Sequence, residues 1–198
     1  MKIIAFTDLH ASQRKLSHIE GLIKLKKPDL LICSGDISVF GKELTSVLRK
    51  INSFNIKTLI IPGNHELEEE LEEVSKRYDN LIDIHKKFYE FKGFQFFGLG
   101  SGGFAQKNLE FEKQFTKLKQ KIKDPAKFVF ISHGPAYKTK VDKIEKDYVG
   151  SISIRKFIEL TKPVLAISGH IHETEHLEDK IKSTRLINPG DGEFITLN

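Results

Sequence analysis

The chain has very few of the residues that stabilise secreted proteins or anchor membrane proteins. Its 198 residues include one cysteine, one methionine and no tryptophan. The single cysteine, Cys33, excludes an internal disulfide, and its apolar neighbours Leu31 and Ile32 indicate a buried structural thiol. No apolar run approaches the roughly 20 residues needed to cross a bilayer. No signal-peptide pattern precedes the first predicted strand. We therefore expect a cytoplasmic protein without a membrane segment.

The charge balance is moderately basic. Lysine and arginine number 32 against 27 acidic residues, and the net charge is +5. Such a surplus could attract polyanionic partners. However, the lysines are spread along the chain rather than clustered, and a surface rich in lysine and glutamate is typical of heat-adapted proteins. We favour this second interpretation and keep nucleic acid as an alternative partner.

Short apolar runs alternate with amphipathic segments along most of the sequence. Runs rich in Ile, Leu, Val and Phe predict buried, mostly parallel strands at residues 2–7, 30–34, 57–61, 128–132 and 164–168. Helices are predicted at residues 12–26, with Ser12 as N-cap, and at 42–52, 66–76, 108–123 and 151–161. Aromatic residues at 88–91 and 94–99 predict a hairpin. The length suits a single domain over residues 1–198, with a parallel first sheet and a second sheet richer in antiparallel pairs.

Polar side chains follow five of these apolar runs, at the point where each predicted strand ends. The polar clusters occupy residues 8–10, 35–36, 63–66, 133–135 and 169–172. In open α/β sheets, ligands bind beyond the carboxyl ends of the strands. In two of the clusters the candidate residues are two positions apart, at 8 and 10 and at 170 and 172. In an extended chain the two side chains of such a pair point the same way. The candidate metal ligands are Asp8, His10, Asp36, Asn64, His133, His170 and His172.

The number of candidate ligands favours two cations over one. Six side chains plus a shared Asp36 exceed what one ion needs, and they suit two ions bridged by that carboxylate. Mixed carboxylate and imidazole ligands favour Mn, ahead of Fe, Zn, Ni and Co, over Ca or Mg alone. Two such ions are the arrangement used in phosphate ester hydrolysis, where a water held between them is acidified to hydroxide and attacks in line. His65 is not needed as a ligand and is the natural proton donor to the leaving oxygen.

Each of these residues also has a structural explanation when taken alone. Asp8 or Asp36 could cap a helix, and Asn64 could occupy a turn. A single histidine at a strand end is more often hydrogen-bonded than catalytic, which is our interpretation of His18 and His85. Five such coincidences are hard to sustain together. The remaining histidine, at position 176, is interpreted as structural like these two.

Two loops are weaker candidates. The glycine-rich segment at residues 98–103 could cradle a phosphate, but it lacks the ending of a P-loop, and we favour a structural turn. The loop at residues 136–148 could contact substrate through Lys138, Lys140 and Lys143, or could be a solvated charged loop.

At the five clusters the chain resembles the calcineurin-like metallophosphoesterase superfamily. The family pattern is D-x-H, G-D, G-N-H-[DE], a histidine followed by a small residue, and G-H-x-H, and all five parts occur here in order. The turn at residues 188–190 is also typical of the family. The resemblance implies a four-layer αββα sandwich, in which two mixed β-sheets are flanked by helices. The small size is similar to that of compact bacterial and archaeal phosphoesterases.

The resemblance also implies individual roles. Asp8, His10, Asp36 and His172 would hold the first metal, and Asp36, Asn64, His133 and His170 the second. His65 would be the catalytic histidine. Protein serine/threonine phosphatases of this superfamily extend the second motif to G-D-x-x-D-R-G, whereas Val39 and Phe40 stand at the last Asp and the Arg here. This difference argues against a protein phosphatase and leaves open what orients His65.

The sequence thus predicts a binuclear metal phosphoesterase acting on a small phosphate ester. The ester could be a diester or a monoester, nucleotides included. The alternatives are a metal-dependent nuclease and a non-catalytic scaffold of the same fold. Nucleases of this fold usually carry extra capping regions, for which 198 residues leave no room, and retention of every predicted ligand argues against a scaffold. A homodimer is one option for the oligomeric state.

Overall fold

A computed structural model describes residues 1–198 and contains thirteen β-strands and five α-helices. The strands are β1 (Lys2–Phe6), β2 (Leu30–Cys33), β3 (Thr58–Ile60), β4 (Leu81–Asp83), β5 (Phe88–Phe91), β6 (Phe94–Leu99), β7 (Phe128–Ser132), β8 (Lys143–Ile144), β9 (Asp147–Tyr148), β10 (Leu165–Ile167), β11 (Glu178–Ile181), β12 (Thr184–Ile187) and β13 (Glu193–Thr196). The helices are α1 (Gln13–Lys26), α2 (Leu44–Asn52), α3 (Glu68–Ser75), α4 (Leu109–Lys121) and α5 (Ile152–Thr161).

The strands form two large mixed sheets. The first has the order β13-β1-β2-β3-β4, and the second has the order β11-β12-β10-β7-β6-β5. Only β13 is antiparallel in the first sheet. In the second sheet both edge strands, β11 and β5, are antiparallel to their neighbours. Strands β8 and β9 form a separate small hairpin. The second sheet is richer in antiparallel pairs, as predicted, but the first is not wholly parallel, because β13 pairs with β1 in the antiparallel direction.

The two sheets pack face to face, and helices cover their outer faces. Alternate residues of a strand point to opposite faces, so β1 directs Ile3 and Ala5 into the layer between the sheets and Ile4 and Phe6 toward the helices. Helices α1, α2 and α3 cover the first sheet, and α4 and α5 cover the second around the buried Phe157. Burial on both faces explains why the strands are almost continuously apolar. The predicted four-layer αββα sandwich is confirmed.

Local hydrogen bonds determine where the helices begin. Ser12 caps α1 as predicted, and its Oγ accepts from the backbone N–H of Lys15. Asn108 and Ser151 cap α4 and α5 in the same way. Helices α2 and α3 begin at 44 and 68, each two residues later than predicted. The residues just before them are held in loops by tertiary hydrogen bonds.

None of the five helices is both long enough and apolar enough to cross a membrane. The cytoplasmic location and the single-domain organisation stay predictions.

Candidate metal centre

The predicted site residues lie beyond the carboxyl ends of five strands, three from the first sheet and two from the second. Asp8 follows β1, Asp36 follows β2, Asn64 follows β3, His133 follows β7 and His170 follows β10. Strands β1, β2 and β3 are neighbours in one sheet, and β7 and β10 are neighbours in the other. Their ends therefore meet at one edge of the sandwich.

Sharp turns, and not the extended chain expected from the i, i+2 spacings, hold several of these side chains at the sheet edge. Asp8, His10, Asp36 and His170 have φ angles of 51°, 45°, 51° and 70°, in the left-handed region that residues other than glycine rarely adopt. Strained backbone of this kind persists only where the surrounding structure holds it, and it concentrates at functional sites.

The structure brings the histidines and aspartates into three overlapping groups. The groups are Asp8 with His10 and His172, then His10 with Asp36 and His65, and finally Asp36 with His133 and His170. In each group the ligand atoms lie within 4.8 Å of one another. Asn64 adjoins the group of Asp36, His133 and His170, because its Oδ1 is 3.0 Å from Nε2 of His133.

Asp36 connects the two ends of this cluster through different oxygens. Its Oδ2 lies 3.8 Å from Nε2 of His10 and 3.9 Å from Nε2 of His65. Its Oδ1 lies 3.5 Å from Nε2 of His133 and accepts the backbone N–H of His65 at 3.0 Å. The carboxylate is buried and has one oxygen facing each side, which is the geometry that a bridging ligand requires.

Unpartnered atoms at the centre indicate that the cluster suits cations. Asp8 Oδ1 and His170 Nε2 are buried and have no hydrogen-bond partner. A buried polar atom without a partner is costly unless another group satisfies it. Carboxylate and imidazole donors within reach of one another are the usual ligands of Mn, Fe and Zn. The residues present therefore fit two divalent ions.

The electrostatics of the cluster keep His170 and Asp8 in the form that binds metal, whereas the neighbouring Asp8 raises the pKa of His172. Burial lowers the pKa of His170 to about 4, and repulsion from His133 adds to the effect. The imidazole of His170 is therefore neutral at pH 7. Burial alone would raise the pKa of Asp8, but His172, His133 and the backbone N–H of His170 bring it down to about 2. Asp8 is a carboxylate throughout the physiological range.

Two hydrogen bonds to backbone groups orient the ligands. Nδ1 of His133 lies 2.9 Å from the carbonyl oxygen of Ser34, which can only accept, so this nitrogen carries the proton. The lone pair of His133 is then on Nε2, facing Asn64 and Asp36. On the other side the backbone N–H of His170 donates to Asp8 Oδ2 at 3.0 Å.

Phe40 orients His65, which answers the question that the sequence left open. The backbone N–H of Phe40 donates to Nδ1 of His65 at 3.3 Å, so in the neutral imidazole the proton is on Nε2. The Phe40 ring stacks on the imidazole with 4.1 Å between centroids. His65 is thus held with its N–H toward Asp36 and the cluster. Phe40 was missed because no single-residue pattern shows that a backbone N–H will face a histidine 25 residues away.

Glu66 is a second residue whose contribution was missed. Its buried carboxylate accepts from the backbone N–H and the hydroxyl of Ser38 at 2.9 and 2.8 Å, and from the N–H of Gly63 at 2.9 Å. These bonds tie the loop after β2 to the loop after β3. The acidic residue that ends the G-N-H-[DE] motif was the available signal.

Close packing accounts for two glycines of the segment at residues 98–103, which supports the structural turn favoured from the sequence. A Cβ on Gly98 would lie 2.6 Å from Ile61, and one on Gly100 would lie 2.4 Å from the carbonyl oxygen of Pro62. The loop then places Phe104 over His170, with 4.4 Å between the ring centroids.

The lysine-rich loop is more ordered than a solvated loop and includes β8 and β9. Buried Asp142 accepts the backbone N–H groups of Lys138, Thr139 and Gly150. Thr174 donates to the carbonyl of Val141 at 3.0 Å, which ties the loop to the turn that carries His172. A substrate role for its lysines stays a prediction.

The three histidines interpreted as structural lie outside the three groups. Nδ1 of His85 accepts the backbone N–H of Gly100 at 2.8 Å. His18 is exposed on α1. His176 lies 3.2 Å from Asp191.

Comparison with known proteins places this geometry in a family context. The family model described as calcineurin-like phosphoesterase matches residues 1–174. A Methanocaldococcus jannaschii protein, MJ1162, is 32% identical over 200 aligned residues, covering 96% of this chain and 88% of that protein. The crystal structure of TT1561 from Thermus thermophilus superposes with a TM-score of 0.76 at 15% identity, covering 96% of this chain and 89% of that chain. A dimetal phosphatase from Danio rerio superposes with a TM-score of 0.61 at 12% identity, covering 94% and 86%.

Proposed function

The chain belongs to the calcineurin-like phosphoesterase family and is a phosphoric ester hydrolase, and on that premise we propose that it cleaves a small phosphate ester with the help of two divalent cations. The ester is a phosphodiester or a phosphomonoester, with nucleotides among the candidates. The observation that carries the proposal is the position of Asp36, whose two oxygens face the two ends of the ligand cluster.

Seven side chains would hold the two cations. One ion would take Asp8, His10, Asp36 and His172, and the other would take Asp36, Asn64, His133 and His170. The mixed donors suit Mn first, with Fe, Zn, Ni and Co as alternatives. When bound, the ions would supply an activated water and neutralise charge on the phosphoryl oxygens. The Danio rerio protein of the same fold is a dimetal phosphatase, which supports this proposal.

His65 would donate the proton that the leaving group needs. The bond from Phe40 leaves the proton of neutral His65 on Nε2, facing the cluster. To act as an acid the ring first takes a second proton from solvent, so that loss of the Nε2 proton leaves it neutral. As water oxygen bonds to phosphorus and the ester P–O bond breaks, the leaving oxygen takes the Nε2 proton. The proton lost by the water goes to solvent, and His65 takes up another proton for the next cycle. A positioned acid of this kind contributes roughly 10²–10⁴-fold to rate.

Replacing His65 with alanine tests the proposal. We expect hydrolysis of an alkyl phosphate ester to fall by about 10²–10⁴-fold, because an alkoxide is a poor leaving group without a proton. Hydrolysis of the matching p-nitrophenyl ester should fall much less, because nitrophenolate leaves without one. Metal content by mass spectrometry should be unchanged.

The matched control is His18→Ala, which removes an exposed histidine on α1. It should leave both rates and the metal content at wild-type values. Equal losses on the alkyl and the nitrophenyl ester in His65→Ala would contradict the acid role. The assay uses mono- and diesters of p-nitrophenol with Mn, Ni or Zn supplied, which also shows which ester class is preferred.

A further inference from the structure

The side chain of Phe40 is exposed, although its loop is firmly held. Phe40 is 74% exposed and has a φ of 51°, a conformation that is strained for a large side chain. The N–H of Gly41 donates to the carbonyl of His65 at 3.0 Å and lies 3.1 Å from the hydroxyl oxygen of Ser38. A strained apolar residue that its neighbours keep at the surface of a site is a candidate for ligand contact.

One face of the Phe40 ring is covered and the other is free. The covered face lies on the imidazole of His65, with 26° between the two planes. Beside the pair is an open cleft of ≈ 190 Å³, and its wall includes Leu67 and Glu70. Leu67 is 68% exposed, so the cleft carries two large apolar side chains at the surface.

The cleft has a definite chemical character. It offers an aromatic face, an aliphatic wall and the half-buried carboxylate of Glu70, and neither lysine nor arginine lines it. An aromatic face binds planar groups by stacking. A carboxylate accepts hydrogen bonds and repels a second phosphate. A planar group with hydrogen-bond donors and no additional phosphate satisfies all three features.

We propose that the cleft between Phe40, Leu67 and Glu70 binds the organic part of the leaving group, and that this part is a planar aromatic group such as a nucleoside base. The inference rests on the proposed function, because His65 can protonate only a leaving oxygen that lies beside it. Phe40 is then a residue that determines specificity, and it acts by stacking on the group that departs.

Phe104 provides a comparison on the other side of the cluster. It is also exposed, by 61%, and its ring also lies against a histidine, but that histidine is His170 and the two planes are tilted by 57°. His170 belongs to the group that Asp36 forms with His133, away from His65. Phe104 should therefore not contact the leaving group.

The kinetic test compares two substrates with the same leaving oxygen. Adenosine 5′-monophosphate and ribose 5-phosphate both release a primary alcohol, and they differ only in the base; their methyl diesters form the matching pair for a diesterase. We expect wild-type enzyme to favour the adenosine ester in kcat/KM. Phe40→Ala should reduce that preference about 5- to 100-fold, whereas Phe40→Trp should retain it and Phe104→Ala should leave it unchanged. An unchanged preference in Phe40→Ala, or a loss in Phe104→Ala instead, would overturn the inference.

A binding measurement tests the same contact without turnover. The chain has no tryptophan, so Phe40→Trp introduces a single tryptophan at the cleft, which can be excited selectively over the four tyrosines. We expect its fluorescence in the metal-loaded protein to be quenched by the phosphonate isostere of adenosine monophosphate, and not by the ribose counterpart. Leu25→Trp, at a position 72% exposed near the far end of α1, should respond to neither.

These measurements separate the inference from the proposed function. A wild-type protein that hydrolyses none of the p-nitrophenyl esters contradicts the proposed function. Quenching of Phe40→Trp that is absent, or equal with and without the base, contradicts the inference.

Discussion

At the scale of single residues, Glu66 shows how a buried carboxylate can build a site that it does not enter. Its two oxygens accept three hydrogen bonds from Ser38 and Gly63. The bonds join the loop after β2, which carries Asp36, to the loop after β3, which carries Asn64 and His65. Hydrogen bonds to an ionised group contribute more than neutral ones, so Glu66 contributes strongly to holding the two loops together.

Replacing Glu66 with alanine should destabilise the fold by about 2–4 kcal/mol, because buried donors of both loops lose their acceptor. The free energy of unfolding in urea measures this loss. Glu66→Gln should lose less, since one oxygen remains. The control is Glu69→Ala, which removes an exposed glutamate at the start of α3. Equal stability of Glu66→Ala and Glu69→Ala would show that these bonds contribute nothing.

The ligand candidates were accessible from sequence because their spacing is local. Asp8 with His10, and His170 with His172, are two residues apart at a strand end, and the rule that strand ends carry ligands connects the clusters. The orientation of His65 was not accessible. It depends on where the backbone of Phe40 passes, and that is decided by hydrogen bonds between loops 25 residues apart.

At the scale of elements, the turn that ends β6 is fastened by His85. Nδ1 of His85 accepts the N–H of Gly100 at 2.8 Å, and its Nε2 lies 3.0 Å from Glu68. Burial lowers the pKa of His85 below its usual 6.5, and Lys86 adds to this, although Glu68 and Asp83 oppose it. The neutral imidazole is therefore the form that the folded chain prefers.

This pKa shift makes stability fall in mild acid. The unfolded chain takes up the proton of His85 near pH 6.5, and the folded chain only at lower pH. Because the unfolded state binds more protons in that interval, the free energy of unfolding falls as pH drops from 6.5 toward the folded pKa. His85→Gln should show a smaller decrease between pH 7 and pH 5 in urea titrations.

The exposed His18 provides the control for this pH dependence. His18→Gln should keep the wild-type dependence, since the side chain lies in solvent on α1. A His85→Gln variant with the same decrease as His18→Gln would show that other groups cause it.

Long elements were predicted more closely than short ones. Helix α1 and strand β7 have enough apolar periodicity to be recognised, and their ends carry clear caps or turns. Strand β4 has three residues and was not predicted, and β8 and β9 have two each, inside a segment taken as a loop. Such short strands exist because neighbouring strands satisfy their backbone groups. The side chain of Asp142 closes the loop around β8 and β9 by accepting the backbone N–H of Gly150.

At the scale of the whole molecule, the candidate centre joins the two sheets. The first sheet supplies Asp8, Asp36 and Asn64, and the second supplies His133 and His170. Direct hydrogen bonds cross at this edge, such as those from the His170 N–H to Asp8 and from His133 to the carbonyl of Ser34. Cations bound by both sets would therefore connect the layers of the sandwich at a place where unpartnered atoms otherwise face each other.

Metal binding should accordingly stabilise the whole fold. A ligand that binds only the folded state adds RT ln(1 + [L]/Kd), about 2.7 kcal/mol per site at a concentration of 100 Kd. We expect calorimetry to show a melting temperature that rises as Mn is added to chelator-treated protein. Asp36→Asn should lose most of this rise, because in the proposed arrangement its carboxylate would serve both sites, whereas His65→Ala should keep it. The control Asp79→Asn, which changes an exposed aspartate before β4, should behave as wild type.

Because each variant is compared with itself with and without Mn, any direct effect of the substitution on stability cancels. A melting temperature independent of Mn would contradict the metal centre itself, and a full rise in Asp36→Asn would contradict only the shared role of its carboxylate.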